Sequence, residues 1–457
     1  MTVLLDSLAD VVGASHVLTG DAISEDYLHD EALTASSQAP VAVVRPSTTA
    51  EVAEILRHAD ESGTPVTARG SGTGLCGAAI PRSDGLMISL ERMNEILEID
   101  IDNQVAVVQP GVTLDDLDEA LAPLGYFYPV FPGENSASIG GNVATNAGGM
   151  RAVKYGVTRH RVLGLEAVLP TGEVIRTGGK FVKATTGYDL TQLITGSEGT
   201  LAVVTEVTVK IERRPEYSAT VLAPFSTLHE ITRAIPAIIA SGADPTLLEY
   251  IDMMGMAATT ESEGLDLGIP DEITESALAY LVVLLENKDA GRVEEDVTAL
   301  GELLTDLGAL DLYVLPDQAA TRLITARERA FWVAKARGAD DIIDVVVPRA
   351  SIPDYLQSVA DMAAANGALV AGAGHAGDGN VHLAVFQPDD GKRHALMHDI
   401  LAAGMDLGGA ISAEHGIGTE KRPFFLELED PAKLDLMRRV KTAFDPHGIL
   451  NPGTLLD

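Results

Sequence analysis

The chain has 457 residues, 46% hydrophobic and 22% charged, which is typical of a folded protein and too long for one ordinary core. Its 67 acidic residues against 32 basic ones give a formal net charge of −35, which repels phosphate backbones and argues against a nucleic acid partner. The single cysteine, Cys76, excludes an internal disulfide framework and a cysteine-ligated iron–sulfur cluster within this chain.

The sequence carries no sign of a membrane span or a secretory signal. No window reaches the roughly 18 uninterrupted apolar residues of a transmembrane helix. The N-terminal stretch has no basic start and contains Asp6 and Asp10, unlike a signal peptide. We therefore expect a cytoplasmic protein without a transmembrane segment, either free or peripheral to the inner face of the membrane.

From residue 41 to about residue 213, short β-branched runs alternate with glycine-rich turns and a few helices, typical of an α/β or α+β domain. Thr48 and Glu51 form a plausible capping box before an amphipathic helix. Arg213-Arg214-Pro215 ends this region, so we place a first domain at residues 1–215. Strands are predicted at residues 66–68, 86–90, 105–109, 163–169 and 201–211.

The middle of the chain combines long helical patterns with strands, which predicts a second domain, residues 216–410, built as a sheet backed by helices. Residues 259–275 are acidic and poor in large apolar side chains, so we expect a solvated loop there. A third segment, residues 411–457, ends in a helix at about 431–444, and no internal repeat is evident. Predicted helices of the middle region lie at residues 228–240, 292–307 and 319–336, and predicted strands at 281–285 and 312–315.

Residues 72–77 match the dinucleotide fingerprint G-x-G-x-x-G, but their context does not fit it. The fingerprint opens a helix, whereas here Pro81, Arg82 and Asp84-Gly85 lead into another strand. A glycine-rich loop without a following helix can still bind phosphate through inward-turned backbone N–H groups. The loop 69–77 is therefore predicted to be a pyrophosphate loop of another kind.

A second glycine-rich stretch, residues 133–149, has no large side chains and would let the backbone approach a flat ligand closely. Together with Tyr155-Gly156, the T-G-Y-D-L run at 186–190 and the G-S-E-G-T-L run at 196–201, it closely resembles the FAD domain of the vanillyl-alcohol oxidase/para-cresol methylhydroxylase superfamily. The similarity is to the branch of D-lactate, glycolate and D-2-hydroxyglutarate dehydrogenases. It runs from about residue 41 to residue 457.

The resemblance implies an α+β fold: a two-part FAD-binding domain of the vanillyl-alcohol oxidase type, a substrate or cap domain with a ferredoxin-like sheet and helices, and a C-terminal helical segment that returns to the flavin. FAD would be held by the pyrophosphate loop 69–77, a second flavin loop 132–149 and flanking segments. The residues implied are Arg69, Gly70, Ser71, Gly72, Thr73, Gly74, Pro132, Gly133, Ser138, Ile139, Gly140, Asn142, Thr145, Asn146, Gly149, Tyr155, Gly156, Glu198, Gly199 and Asn451.

The same resemblance implies that FAD is bound without a covalent tether. Relatives that tether FAD through the pyrophosphate loop use a histidine there, and this chain has Thr73 at that place. Cys76 lies in the loop, but a free cysteine usually packs as a small hydrophobe, which is the interpretation we prefer.

Two histidines, His375 and His382, flank a tight Asp-Gly turn that can bring both rings to one point, and Glu414-His415 follows downstream. Two histidines and a glutamate suit zinc, manganese or iron with positions left open for substrate. From spacing alone, hydrogen-bonded core histidines are an equally good interpretation. The resemblance implies that His375, His382 and Glu414 are metal ligands, that Asn380 contacts substrate and that His415 is the catalytic base.

Arg327 resembles the family arginine that binds the substrate carboxylate, with Arg349 as a second candidate. Without the family register, an exposed helix charge paired with Glu328 or with a residue one turn away would be the better interpretation of Arg327. A carboxylate site in so acidic a chain needs local positive charge, which an arginine and a metal would supply. In the D-2-hydroxyglutarate branch a basic residue holds the distal carboxylate, and in an ungapped register that position is Ile342.

The resemblance therefore implies an FAD-dependent dehydrogenase that converts a small D-2-hydroxy acid, D-lactate or glycolate, to the 2-oxo acid by hydride transfer to flavin N5. His415 would take the hydroxyl proton, which a bound metal makes more acidic. The electron acceptor is open among quinone, cytochrome and electron-transfer flavoprotein, and so is assembly into a homodimer. The alternatives are a D-2-hydroxyglutarate dehydrogenase, a metal-dependent hydrolase and a non-catalytic flavin-binding subunit.

Overall fold

The computed structural model describes residues 2–456, which divide into two compact units. Unit 1 contains the described residues up to Ala147, then Val157–Arg213, and the end of the chain from Glu414 onward. Unit 2 contains Gly148–Gly156 and Arg214–Ala413. The end of the chain belongs with its beginning because the backbone at Leu450 pairs in parallel with Val66.

The first sheet of unit 1 has the strand order β1-β2-β4-β3, with β2, β4 and β3 parallel. Thr48 caps the helix α2 (Thr49–Ser62), and its side chain accepts from the Glu51 N–H. The Glu51 carboxylate accepts in turn from the N–H of Ser47, at 2.6 Å, and not from that of Thr48. The predicted capping box is thus formed in one direction only. The elements are α1 (Thr2–Val12), β1 (Val17–Leu18), β2 (Ala42–Val44), α2 (Thr49–Ser62), β3 (Val66–Arg69) and β4 (Leu86–Ser89).

The second sheet of unit 1 is antiparallel, in the order β5-β6-β10-β8-β9, and a small β7-β11 pair accompanies it. Its core is fully buried at Val108, Ile139 and Val207. The elements are β5 (Ile96–Asp100), β6 (Val105–Val108), α3 (Leu114–Leu121), β7 (Tyr126–Phe127), α4 (Ile139–Thr145), α6 (Thr158–Arg161), β8 (Val162–Val168), β9 (Val174–Gly178), α7 (Leu190–Ile194), β10 (Val203–Lys210), β11 (Glu212–Arg213), α16 (Arg422–Leu428) and α17 (Pro431–Phe444).

Unit 2 is built on one seven-stranded antiparallel sheet in the order β15-β12-β14-β13-β17-β18-β16. Its strands are β12 (Tyr217–Phe225), β13 (Leu247–Asp252), β14 (Ala279–Asn287), β15 (Tyr313–Leu315), β16 (Asp341–Val346), β17 (Leu369–His375) and β18 (Asn380–Phe386). Its helices are α5 (Ala152–Tyr155), α8 (Leu228–Ala240), α9 (Met253–Glu263), α10 (Asp271–Ser276), α11 (Ala290–Asp306), α12 (Asp317–Glu328), α13 (Ala330–Ala336), α14 (Ile352–Asn366) and α15 (Asp390–Asp406).

This sheet consists of two ferredoxin-like halves side by side. In the first half, β12-α8-β13-β14-α11-β15, the first strand lies between the fourth and the third, and the second strand is outermost. The second half, β16-α14-β17-β18-α15, repeats that order, and an antiparallel bridge between Val346 and Ala410 stands where a fourth strand would pair. The halves join where β13 pairs with β17. The predicted ferredoxin-like sheet is therefore present twice, a repeat that the sequence does not reveal.

Two expectations about the helices of unit 2 are wrong. The single helix predicted at residues 319–336 is two helices, because the backbone leaves the helical region at Arg329, with φ −84° and ψ 8°. The solvated loop predicted at residues 259–275 is mostly helical: Asp252 caps α9 by accepting from the Gly255 N–H, and Thr259 and Leu265 are buried. Among the described residues, no helix combines the length and apolar character needed to cross a membrane.

Candidate functional site

A cleft in unit 1 is lined by both glycine-rich loops and encloses about 1260 Å³ of space outside the protein atoms, including its open mouth. Glu414 and His415 line the same cleft. The predicted FAD-binding residues that line it are Arg69, Gly70, Ser71, Gly72, Thr73, Gly74, Pro132, Ser138, Gly140, Asn142, Thr145, Glu198 and Gly199.

The other predicted FAD-binding residues lie outside this lining. Ile139 is fully buried in the core of the second sheet. The Asn146 side chain accepts from the Arg159 N–H at 2.9 Å, and Asn451 donates to the Glu198 carbonyl at 2.9 Å. Their predicted contact with FAD stays a prediction. Gly133 belongs to unit 1, whereas Gly149, Tyr155 and Gly156 belong to unit 2.

The two glycine-rich loops touch each other where only glycine fits. A Cβ on Gly70 would lie 2.1 Å from the Ser138 hydroxyl oxygen. Ser138 in turn caps α4 by accepting from the Gly141 N–H. No helix follows the loop after β3; the chain runs on to β4, as predicted from Pro81 and Asp84-Gly85. The loop is thus open backbone, suited to an anion nest rather than to a helix N-terminus.

Asp30 supports the pyrophosphate loop and was missed by the sequence analysis. It is 4% exposed and accepts from the N–H groups of Ala32 at 3.1 Å and Ala79 at 3.4 Å. Burial raises the pKa of Asp30 to about 6. Beside it, the Arg69 guanidinium donates to the His29 carbonyl at 2.7 Å. No motif marks this carboxylate, because its role depends on contacts that are distant in the chain.

In unit 2, the β17–β18 hairpin brings the predicted metal-binding histidines together. The ring centroids of His375 and His382 are 4.8 Å apart, with planes at 73°. Strand register places both on one face of the sheet, since His375 lies opposite Asn380 and Ala373 lies opposite His382. The turn closes through Gly379, at φ +93°, where a Cβ would lie 2.1 Å from the Val347 carbonyl oxygen. The hairpin therefore presents two imidazoles to one place, as its spacing predicts.

Glu249 links one of these histidines to Arg327. Its carboxylate is 2.6 Å from His375 Nδ1 through Oε1 and 2.9 Å from Arg327 Nη2 through Oε2, and Glu249 is 1% exposed. The contact with Arg327 is a charge pair without hydrogen-bond geometry. Within the described chain, Arg327 Nε has no hydrogen-bond acceptor. The guanidinium thus keeps N–H groups for another acceptor.

Arg327 is 7% exposed, so its interpretation as an exposed helix charge paired with Glu328 is wrong. The second candidate, Arg349, is exposed on a short 3-10 turn, residues Arg349–Ser351, which offers no enclosed carboxylate site. Of the two arginines, Arg327 alone combines burial with unused donors.

Asp344 holds three neighbours on the same sheet face. It is fully buried and accepts from Asn380 Nδ2 at 2.9 Å, the Ser412 hydroxyl at 2.7 Å and the Ala413 N–H at 3.1 Å. It also lies 3.7 Å from His382 Nδ1. Asp344 therefore fixes the Asn380 amide and the residue that immediately precedes Glu414 in the chain.

Glu249 and Asp344 share a signal that the sequence does contain. Each is the acidic residue in the interior of a mostly apolar strand, Leu247–Asp252 and Asp341–Val346 respectively, whose other acidic residue stands at one end. Charged side chains are seldom fully buried unless they are paired, so a carboxylate in such a strand indicates a buried partner. The sequence does not say which partner.

Two family models match the chain. A family model described as "FAD linked oxidases, C-terminal domain" matches residues 214–455, and one described as "FAD binding domain" matches residues 40–178.

Related proteins align over nearly the whole chain. An uncharacterised FAD-linked oxidoreductase of Mycobacterium tuberculosis is 59% identical, covering 100% of this chain and 99% of its own. A D-lactate dehydrogenase of Anaerostipes hadrus is 36% identical, covering 97% and 95%. A glycolate oxidase subunit of Bacillus subtilis is 37% identical, covering 91% and 89%.

The solved structure of p-cresol methylhydroxylase with substrate bound superposes with a TM-score of 0.83 at 18% identity, covering 100% of this chain and 97% of that one. At that identity the match concerns the fold alone. It confirms the predicted α+β fold of the vanillyl-alcohol oxidase/para-cresol methylhydroxylase type.

Proposed function

The chain belongs to the family of FAD-linked oxidases, and we propose that it is a dehydrogenase that oxidises a small D-2-hydroxy acid, D-lactate or glycolate, to the 2-oxo acid. The observation that carries this proposal is that His415 lines the same cleft as the two glycine-rich loops. A titratable base at the edge of a cofactor cleft suits proton removal coupled to oxidation.

The proposed oxidation removes a hydride from the alcohol carbon and a proton from the hydroxyl group. When bound, FAD would supply the acceptor for the hydride that leaves the alcohol carbon. His415 would accept the proton from the hydroxyl group, because a neutral imidazole can act as a general base. Loss of the hydride and the proton converts the CH–OH group to a C=O group, and the two electrons leave with the hydride.

Arg327 and Asn380 are the proposed contacts of the substrate carboxylate and hydroxyl. Since the net charge is −35, an anionic substrate needs a local cation, and a buried guanidinium with free N–H groups supplies one. The Asn380 amide is held in one orientation by Asp344 at 2.9 Å. Its Nδ2 also donates to the Val345 carbonyl at 3.2 Å, so the Asn380 Oδ1 is the atom that would accept from the substrate hydroxyl. An acceptor held in place orients substrate at little entropic cost.

We also propose a divalent cation, zinc, manganese or iron, held by His375, His382 and Glu414. The two imidazoles fit this role, because their ring centroids are 4.8 Å apart and a carboxylate at Nδ1, as Glu249 provides for His375, is the usual partner of a metal-binding histidine. The cation would supply fixed positive charge. Histidines that serve only as a hydrogen-bonded core are the alternative, and metal analysis decides between them.

The function is tested by anaerobic mixing of the FAD-loaded protein with D-lactate. We expect the visible absorbance of oxidised flavin to bleach with D-lactate and to persist with L-lactate. A hydrolase or a non-catalytic flavin-binding subunit would leave the flavin oxidised with every 2-hydroxy acid. Bleaching by glycolate alone would identify glycolate as the substrate of the same reaction.

Substrate size is tested in the same assay with D-2-hydroxyglutarate. Ile342 lies two residues from Asp344 on β16, hence on the same sheet face, and it cannot pair a second carboxylate. We expect D-lactate to be preferred by at least about tenfold in kcat/KM, equivalent to about 1.4 kcal/mol. A preference for the dicarboxylate would refute the Ile342 argument. Two other cations of this region have partners in the structure: Arg337 lies 2.8 Å from Glu261, and Lys335 lies 5.3 Å from the centroid of the Trp332 ring.

A further inference from the structure

Glu198 holds the turn that follows His415. Its Oε1 accepts from the Ile417 N–H at 2.6 Å, and its Oε2 accepts from the Gly418 N–H at 2.7 Å. Glu198 is 5% exposed. One buried carboxylate therefore binds two successive backbone amides, beginning two residues after His415. Hydrogen bonds to an ionised acceptor are stronger than neutral ones.

The backbone around this contact is shaped to make it. Gly416 and Gly418 have φ of +86° and +55°, and a Cβ on Gly416 would lie 2.7 Å from Glu198 Oε1. Glu198 itself has φ of +51°, a left-handed conformation that non-glycine residues seldom adopt. Asn451 supports it by donating to the Glu198 carbonyl at 2.9 Å. Such strain persists only where the surroundings over-determine it.

The same turn is fixed on its other side to the pyrophosphate loop. The Cys76 carbonyl accepts from the N–H groups of Thr419 at 2.9 Å and Glu420 at 3.2 Å. Asn451 also donates to the Ala78 carbonyl at 2.9 Å. The turn after His415 is thus attached both to Glu198 and to the loop predicted to hold the pyrophosphate.

We propose that Glu198 is a positioning residue for His415, whose carboxylate anchors the turn 416–418 and so keeps the imidazole on the flavin cleft. The role of His415 as the base rests on the proposed function. Glu198 then acts through the protein backbone, and its side chain is not a phosphate ligand, because an ionised carboxylate has no donor to offer and repels phosphate. Burial raises the pKa of Glu198, whereas the two N–H groups and the charge of Lys421 oppose that rise.

The test compares Glu198→Gln with Glu166→Gln in FAD-loaded protein. Glutamine keeps the size of the side chain but replaces one acceptor oxygen with a donor that faces a backbone N–H. Glu166 is a matched control: it is buried in the same unit, accepts from Thr49 and Thr205, and is not part of the cleft lining. If Glu198→Gln proves poorly folded, Glu198→Asp, a shortened acid, replaces it.

Two measurements need no substrate. Hydrogen exchange of the amides of Ile417 and Gly418 should become faster in Glu198→Gln and stay unchanged in Glu166→Gln. The imidazole resonance of His415, assigned by its loss in His415→Asn, should shift only in Glu198→Gln. Unchanged exchange or an unshifted His415 resonance overturns the proposal, whatever the substrate proves to be.

A third measurement uses the reaction. At saturating FAD and D-lactate, we expect flavin reduction in Glu198→Gln to slow by at least about tenfold, a part of the roughly 100- to 10,000-fold that a well-placed general base contributes. FAD affinity should change by less than about threefold, under about 0.7 kcal/mol. Weaker FAD binding with an unchanged reduction rate would make Glu198 a flavin ligand and overturn the proposal. If wild-type protein is not reduced by any 2-hydroxy acid, the proposed function fails, and the exchange and resonance measurements still decide the role of Glu198.

Discussion

Glu249 lies between two side chains that the proposed reaction uses for different purposes, the imidazole of His375 and the guanidinium of Arg327. A carboxylate at Nδ1 fixes the orientation and tautomer of a metal-binding histidine and raises its basicity. The same carboxylate partly neutralises Arg327, which lowers the cost of keeping a guanidinium buried. One residue thereby prepares both the proposed metal site and the proposed carboxylate site.

Replacing Glu249 with glutamine should weaken binding of a divalent metal by about 10- to 100-fold, the usual effect of losing such a carboxylate. Competition with a coloured chelator measures the dissociation constant of the metal in the FAD-loaded protein. Glu286→Gln is the matched control, since Glu286 lies near the end of β14 and is half-buried. Equal metal affinity in Glu249→Gln and wild type would contradict this role, and a wild type that retains no metal would end the metal proposal.

The raised pKa of Asp30 predicts that FAD binding depends on pH. Its folded pKa of about 6 lies above the ordinary value of 3.8, so the folded protein holds more protons than the unfolded chain between these values. The stability contributed by the protonated carboxyl is therefore present below pH 3.8 and is lost as pH rises to about 6. A pyrophosphate dianion in the adjacent loop would disfavour the ionised carboxylate further.

FAD should consequently bind more tightly as pH falls from about 7.5 to about 5.5. The gain in affinity should be up to about tenfold for each unit by which bound pyrophosphate raises the pKa of Asp30. Titration of deflavinated protein with FAD, followed by quenching of flavin fluorescence, gives the dissociation constant at each pH. Asp30→Asn keeps an acceptor oxygen and removes the titration, so its FAD affinity should vary less. The idea fails if both proteins show the same pH profile.

At the scale of elements, hydrophobic patterning predicted the five strands named for the first region, but it missed others there, among them the buried β2 and the edge strand β9. Each strand predicted in the first region is present, with each end shifted by no more than two residues, and the helix predicted at 431–444 is α17. The unpredicted β9, Val174–Gly178, is an edge strand that is half exposed. Because edge strands face solvent on more sides, their composition lacks the apolar signal that identifies a strand.

The break between α12 and α13 and the helical character of α9 show the limits of local signals. No proline or glycine marks Arg329, where the predicted long helix ends, and the alanine-rich sequence on both sides favours helix. In α9, the Asp252 cap and the burial of Met256 favour a helix that the acidic composition concealed. Tertiary packing overrides composition at both places.

Some features of the candidate site could be predicted from the sequence, and others could not. The hairpin of His375 and His382 follows from a tight Asp-Gly turn, and the glycine-rich loops follow from long ordered motifs, so both could be predicted from the sequence. The contacts of Glu249, Asp344 and Glu198 could not, because each joins residues that are far apart in the chain. The pairing of β13 with β17 places Glu249 beside His375, and it exists only once both ferredoxin-like halves have formed.

At the scale of the whole molecule, unit 1 is assembled from three separate stretches of chain. Its last stretch contributes Glu414 and His415 to the cleft and pairs with β3 through Leu450. The last segment is therefore part of the predicted cofactor domain. We expect a ligand in the cleft to stabilise this segment as much as it stabilises the glycine-rich loops.

This expectation can be tested by hydrogen exchange during a titration of deflavinated protein with FAD. A ligand that binds only the folded unit stabilises it by about 2.7 kcal/mol at a hundredfold excess over its dissociation constant. Peptides from residues 414–456 should therefore exchange more slowly as FAD is added, with the same midpoint as peptides from the loops at 69–77 and 132–147. Slowing at the loops without a change in residues 414–456 would show that the last segment does not share the stability of unit 1. A common midpoint would show that one binding event orders both glycine-rich loops and the segment that carries His415.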